Sequence, residues 1–332
     1  MKTICKIGFA FCGSVALTLV DYFRGLDVEL VAVADPNPAR REKILSFNRV
    51  RNAYDNYREM LEREKLDLVI CAKDMNESLD DYAQIAKDCL LAGAWAFVER
   101  PVSTSSAQVR ELIELQEKTS CYVSARFHRR FSTPYLLAHN AVYSNEFGKP
   151  LLFSIKGDTA PYPTEIDFID KHLSHYLDLA AMYFNNLSIV HVNSLSIGPQ
   201  KYGYQISLSG EGGVIGTIQS VSFQSQAYPI ERLEILSDGK AIIVENASEV
   251  YFMQHSDVNT SLSPSMEESS NVKSFIFNRA HMATTSIIRF TEYFGELLDC
   301  IRDGRKPTYH MEHVLPTVML LEDFKKQLLQ AR

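Results

Sequence analysis

An α/β fold built on a doubly wound parallel sheet is what the N-terminal part of this sequence predicts, on three observations. Short apolar runs such as VELVAVA (Val28–Ala34) alternate with longer segments of helical pattern. The runs LDLVICA (residues 66–72), AWAFVE (residues 94–99) and CYVSARF (residues 121–127) are largely apolar, as strands buried between helices are. Between them DNYREMLERE, SLDDYAQIAKDCLLAG and SSAQVRELIELQEKTS each read as a helix, the second stopping at Gly93.

The first element admits two readings. In KIGFAFCGSVALTLVDYF (residues 6–23), Lys2 and Lys6 precede an uncharged stretch over residues 7–20, as in a secretory signal peptide. A signal peptide should end in a small-residue cleavage site. Here the run passes straight into DYFRGLDVELVAVADPNP, which supplies a turn at Gly25, a second strand and Asp35. Strand, turn, helix and strand make a βαβ unit of roughly 30 residues, the frame of a dinucleotide fingerprint. The ideal pattern is G-x-G-x-x-G or A, because glycine lets the main chain approach a pyrophosphate closely. One register runs from Gly8 to Gly13 and puts Gly8 inside the strand. The register that strand length favours is Phe11, Cys12, Gly13, Ser14, Val15, Ala16, with Phe11 in the first glycine's place. Asp35 ends the second strand roughly 20 residues on, where a carboxylate can accept ribose hydroxyls and repel a 2′-phosphate. NAD is therefore the expected cofactor; Arg40 and Arg41 follow closely and keep NADP as the alternative. The bland reading of Asp35 is a turn residue before Pro36.

Composition narrows the function classes. The chain has 332 residues, 46% hydrophobic and 23% charged, enough for two domains with real cores. A net charge of −7 argues against a nucleic-acid partner. No apolar run reaches the roughly 20 residues that span a bilayer, so no membrane is expected. Six cysteines without CxxC spacing, several inside apolar runs, suit free buried thiols and a cytoplasmic location, and no metal site is expected. The polar, Ser-rich stretch over residues 254–273 reads as a loop or lid. In a doubly wound sheet, ligands bind beyond the carboxyl ends of strands. That singles out Asp35, Ala72, Lys73, Asp74, Glu99, Arg100, Pro101 and His128.

AGAWAFVERPVS resembles the AGKHVLCEKPLA segment of the glucose–fructose oxidoreductase, inositol dehydrogenase and rhizopine catabolism family (Gfo/Idh/MocA). HRRFSTPY, SNEFGKPL and FGELLDCIRDGRKPTYHMEHVLPTVMLLE are similar to further family segments in the same order. The resemblance implies an N-terminal Rossmann domain over residues 1–122. Residues 123–332 would form an α+β domain with an open, mainly antiparallel sheet whose face makes a homodimer or homotetramer. It also implies hydride transfer between nicotinamide and a secondary alcohol or ketone of a small sugar-like substrate. The alternative is a non-catalytic relative acting as a sensor or subunit.

The family's chemical positions fall on altered residues. Its Glu-Lys-Pro is Glu99-Arg100-Pro101; an arginine binds an anion well but does not exchange protons near pH 7. Its D-x-G-x-H-x-x-D is met in IDKHLSHYLDLAAMYF by His175 and Asp178, with Lys171 at the Asp and Leu173 at the Gly. His175 is the expected proton exchanger, and His172 shares its helix face. Lys73, at the end of the third long strand, either replaces the lost motif lysine or is a solvated charge paired with Asp74. Asp158, Tyr162 and Asp167, on an irregular segment, are expected to contact substrate hydroxyls together with Arg100, His128, His172 and Asp178. An Arg in the lysine's place points to an anionic group on the substrate.

Overall fold

The computed structural model describes residues 3–47, 50–74, 82–224, 230–254, 272–276 and 290–330. The chain divides into two compact units, Met1–Phe127 with Phe290–Met319, and His128–Arg289 with Leu320–Arg332. A linear division at residue 122 misses that residues 290–319 belong with the first unit.

In that unit the strands β1 (Cys5–Cys12), β2 (Val28–Ala34), β3 (Asn52–Tyr54), β4 (Leu68–Ala72), β5 (Trp95–Val98) and β6 (Val123–Ala125) form one sheet, all pairs parallel, in the order β3-β2-β1-β4-β5-β6. Helices α1 (Ala16–Tyr22), α2 (Pro38–Phe47), α3 (Tyr57–Arg63), α4 (Tyr82–Leu91) and α5 (Ser106–Thr119) connect them. Strand order reverses between β1 and β4, which makes the carboxyl ends of those two strands the switch point. Every residue of β4 and β5 is buried, as their unbroken apolar sequence requires. α4 buries Tyr82, Ile85, Ala86, Cys89 and Leu90 at helical spacing and stops before Gly93, whose φ of 79° ends it. α3 starts on Asn56, whose side chain accepts the Arg58 amide. β6 covers only the middle of the apolar CYVSARF run. Short strand β3 and helix α2 carry too little apolar periodicity to be read from sequence. From far along the chain, α9 (Phe290–Asp303) lays Phe294 4.4 Å from the Phe23 ring and 5.0 Å from that of Phe97.

The second unit begins with a 3₁₀ turn, His128–Phe131, and α6 (Thr133–Val142). β7 (Leu152–Asp158), α7 (Glu165–Phe168), a π-helical turn over Ile169–Leu173 and α8 (Ser174–Tyr183) follow. Then come β8 (Ser188–Ser196), β9 (Tyr202–Ser209), β10 (Ile215–Val221), β11 (Glu231–Ser237), β12 (Lys240–Glu245), β13 (Glu249–Gln254) and β14 (Val272–Ile276). Their sheet runs β14-β13-β12-β11-β7-β10-β9-β8 and is antiparallel except between β7 and β10. The last helix, α10 (Met311–Gln330), places Phe324 5.0 Å from Tyr204 in this unit's core. Of the expected loop over residues 254–273, Gln254 closes β13 and Lys273 lies in β14; residues 255–271 are outside the described residues.

One carboxylate ties four of these elements together. Glu231 on β11 receives both Arg129 Nε contacts at 3.0 Å, the Arg129 Nη2, the Tyr135 hydroxyl and the Tyr176 hydroxyl at 3.2 Å. Burial alone would push its carboxyl up; the Arg129 charge and the hydrogen bonds hold it below the ordinary carboxylate value. Tyr176 reaches this point by crossing β7 at Gly157, where a Cβ would fall within 1.9 Å of the ring. Glu231→Gln leaves Arg129 buried without its counter-ion. It should cost about 3–5 kcal/mol of unfolding free energy. Urea denaturation of both proteins measures this; an unchanged midpoint would show that the cluster contributes little.

Candidate functional site

The first candidate site is the turn after β1. Gly13 donates its amide to the Ala72 carbonyl at 2.7 Å, so the chain leaves β1 pressed against the end of β4. A Cβ on Gly13 would come within 2.5 Å of the Ala72 oxygen and 2.8 Å of the Asp74 nitrogen, so only glycine fits. Phe11 stands in the first glycine's place and adopts its conformation, with φ of 69°. A left-handed phenylalanine is strained by about 1–2 kcal/mol. Its ring gains packing in return, 5.9 Å from Tyr57 and 5.1 Å from the Lys73 ammonium.

Asp35, directly after β2, is 1% exposed and braces the turn: Oδ2 accepts the Cys12 amide at 2.8 Å and Oδ1 the Asn37 amide at 2.7 Å. The Asn37 contact is the local turn expected of an Asp before Pro36; the Cys12 contact links β2 to the turn. Asp74 Oδ1 accepts the Ser14 amide at 2.6 Å, and its Oδ2 lies 2.7 Å from Arg40 Nη2. The Ser14 amide, more than any other group, holds the Asp74 carboxyl below its ordinary value. Arg41 donates to the Asp35 carbonyl and pairs with Asp55 at 2.6 Å.

Lys73 is 5% exposed, with its ammonium 5.1 Å from the Phe11 ring centre and 5.4 Å from that of Tyr82. The reading of Lys73 as a solvated charge paired with Asp74 is therefore corrected: the lysine is buried under aromatic rings, and Asp74 pairs with Arg40. At the end of β5, Glu99 lies between two arginines, Arg100 at 3.0 Å and Arg126 at 2.5 Å. The Arg100–Pro101 bond is cis.

The frame fits a dinucleotide: the switch point, a glycine without room for a side chain, and a carboxylate ending β2. The fit carries one condition, that the Ser14 amide is already engaged by Asp74.

The second candidate site lies on α8 and the π-helical turn. His175 is 4% exposed, and its ring stands edge to face with His128, centres 4.5 Å apart. His172 instead stacks on Phe168 at 5.4 Å and lies 5.9 Å from Tyr162. The regular helix face expected to join the two histidines is interrupted by the π-helical turn, and each ring meets different aromatic partners.

Both Asp178 oxygens accept Arg130 Nε at 2.9 Å. Asp178, expected to contact substrate, thereby ties the 3₁₀ turn, and with it His128, to α8. Asp167 sits in α7 rather than in irregular chain. Burial acts to push its carboxyl up, but hydrogen bonds from Lys171, at 2.6 Å, and Thr164 hold it below its ordinary value. Asp158, the last residue of β7, is 4% exposed; burial raises its carboxyl, with Lys156 4.0 Å away acting against that.

Sequence reasoning missed Arg126, which pairs with Glu99, and both Arg129 and Arg130. HRRF places two arginines before an apolar Phe131, yet nothing local signals that their carboxylates come 102 and 48 residues later. Among the described residues no group of three or more His, Cys, Asp or Glu could hold a metal ion.

Comparison with known proteins accords with this geometry. Residues 4–127 match the sequence model of the Gfo/Idh/MocA family, described as an oxidoreductase family with an NAD-binding Rossmann fold. Myo-inositol 2-dehydrogenase of Thermotoga maritima is 27% identical over 160 residues, 48% of this chain and 46% of that one. The chain thus spans about half the length of such curated relatives. Over its full length it superposes on a dehydrogenase from Chromobacterium violaceum with a TM-score of 0.82 at 16% identity, covering 98% of that chain. The WlbA dehydrogenase of Bordetella pertussis, in complex with NADH and UDP-GlcNAcA, follows with a TM-score of 0.75 at 14% identity, covering 99% of this chain and 98% of that one. At these identities the superpositions speak for the fold alone, and the likeness to the Gfo/Idh/MocA oxidoreductase family is carried by the N-terminal segment, residues 4–127.

Proposed function

We propose that the protein is an NAD-dependent oxidoreductase acting on a secondary alcohol or ketone of a small, sugar-like substrate that bears an anionic group. The observation that carries this reading is the turn after β1. Gly13 is pressed against Ala72, Phe11 takes the left-handed conformation, and Asp35 is clasped to the Cys12 amide. Such a turn keeps the shape of the fingerprint although it has lost its first glycine.

Gly13 and Ser14 would present main chain to the pyrophosphate, Asp35 would face the adenosine ribose, and Arg40 would meet phosphate. The nicotinamide, when bound, supplies the carbon that gives or accepts the hydride. His175 would exchange the proton of the substrate hydroxyl, with the His128 ring against it restricting its orientation. Arg100 would bind the substrate's anionic group, its guanidinium braced on one side by Glu99. UDP-GlcNAcA, the ligand of the WlbA structure, carries anionic groups, which supports this substrate class. Lys73 holds a second positive charge at the carboxyl end of the sheet and would favour a developing alkoxide.

Three measurements test the reading. Calorimetric titration should give micromolar-range NAD(H) binding and weaker NADP(H); tighter NADP(H) would shift cofactor choice from Asp35 to the neighbouring arginines. Binding of neither would leave the non-catalytic reading. His175→Ala should cut turnover by roughly 100- to 10,000-fold, the usual worth of acid–base catalysis, with NAD affinity nearly intact; undiminished turnover removes His175 from the mechanism. Arg100→Lys loses the planar fork, and it should weaken turnover of acidic sugars more than of neutral polyols. Equal effects on both classes in a coupled NAD-reduction assay would defeat the anionic-substrate assignment.

A further inference from the structure

The turn that would receive a pyrophosphate contains an anion of the protein's own. Asp74 Oδ1 accepts the Ser14 amide at 2.6 Å, and Asp74 Oδ2 lies 2.7 Å from Arg40 Nη2. The same guanidinium reaches toward Asp35, its Nη1 3.8 Å from Oδ2. Asp74 also stands against Gly13: a Cβ there would come within 2.8 Å of its amide nitrogen and 2.9 Å of its Oδ1. The Asp74 carboxylate thus stands in the space that the missing side chain of Gly13 leaves open.

One N–H donates one well-aligned hydrogen bond, so Ser14 cannot serve Asp74 and a phosphate oxygen together. Two anions a few ångströms apart also repel, and more strongly beside a protein wall than in water. Arg40 faces the same choice: a phosphate on the Ser14 amide would compete with Asp74 for its guanidinium.

We propose that Asp74 is an internal competitor for the dinucleotide, and that binding exchanges its carboxylate for a phosphate on the Ser14 amide and the Arg40 guanidinium. The inference rests on the dinucleotide reading above. It makes Asp74 a determinant of cofactor affinity that acts by occupying the site, and Arg40 a residue whose charge serves either anion. Burial of the pair is partial, with side-chain exposures of 28% for Arg40 and 20% for Asp74, so the exchange requires no opening of the core.

The test is calorimetric titration of the full chain, as wild type, Asp74→Asn, Asp74→Ala and Asp74→Asn/Arg40→Gln, with NADH and separately with ADP. ADP carries the diphosphate without the nicotinamide, so it reads the turn alone. Both Asp74 variants should bind NADH and ADP about tenfold more tightly than wild type, and Arg40→Gln should cancel much of that gain. Wild-type binding with no tightening in either Asp74 variant would overturn the proposal while leaving the dinucleotide reading in place. Failure of every variant to bind NADH or ADP would overturn both.

Discussion

The hydrogen bond from the Gly13 amide to the Ala72 carbonyl, 2.7 Å long, is the constraint on which the first unit's site depends. It holds the end of β1 against the end of β4 at the point where strand order reverses, and it leaves no volume for a side chain at residue 13. The residues before and after must then meet geometry they did not choose. Phe11 takes a left-handed backbone, and the Cys12 amide points to the Asp35 carboxylate. The Ser14 amide is left facing Asp74. A substitution at Gly13 would therefore disturb the whole carboxyl edge of the sheet rather than one contact.

The second unit depends in the same way on two arginines from one short turn. Arg129 enters the buried Glu231 cluster and Arg130 grips Asp178, so the 3₁₀ turn between β6 and α6 is fixed to both the sheet and α8. His128 begins that turn, and its ring meets His175 as a result. The positions that depart from the family pattern are each accommodated locally. Arg100 pairs with Glu99, Lys171 with Asp167, and Lys73 lies over Phe11 and Tyr82. Left without such partners, buried charges would cost several kcal/mol each.

The sheet of the first unit was legible because its strands are buried on both faces and read as unbroken apolar runs. β2 and β4 sit where VELVAVA and LVICA place them. The short β3 and the polar α2 were not legible, and neither was the return of α9, whose Phe294 finds Phe23 and Phe97 across most of the chain. Strand ends in the sequence singled out Asp35, Asp74 and Glu99, which follow β2, β4 and β5 in the structure. What spacing could not supply was their pairing. Asp178 keeps the family's distance from His175, yet its carboxylate is taken by Arg130, a partner set by tertiary packing alone. His172 and His175 are three residues apart, but the π-helical turn gives their rings separate partners, a local departure that amphipathic periodicity does not encode.

The most direct test of the central claim, that the turn after β1 is a dinucleotide site, is a crystal structure grown with saturating NADH. The account predicts the pyrophosphate against Gly13 and Ser14 and the adenosine ribose at Asp35. Asp74 should be turned away from the Ser14 amide. A dinucleotide seated elsewhere, or an intact Ser14–Asp74 contact with no ligand on the turn, would contradict it.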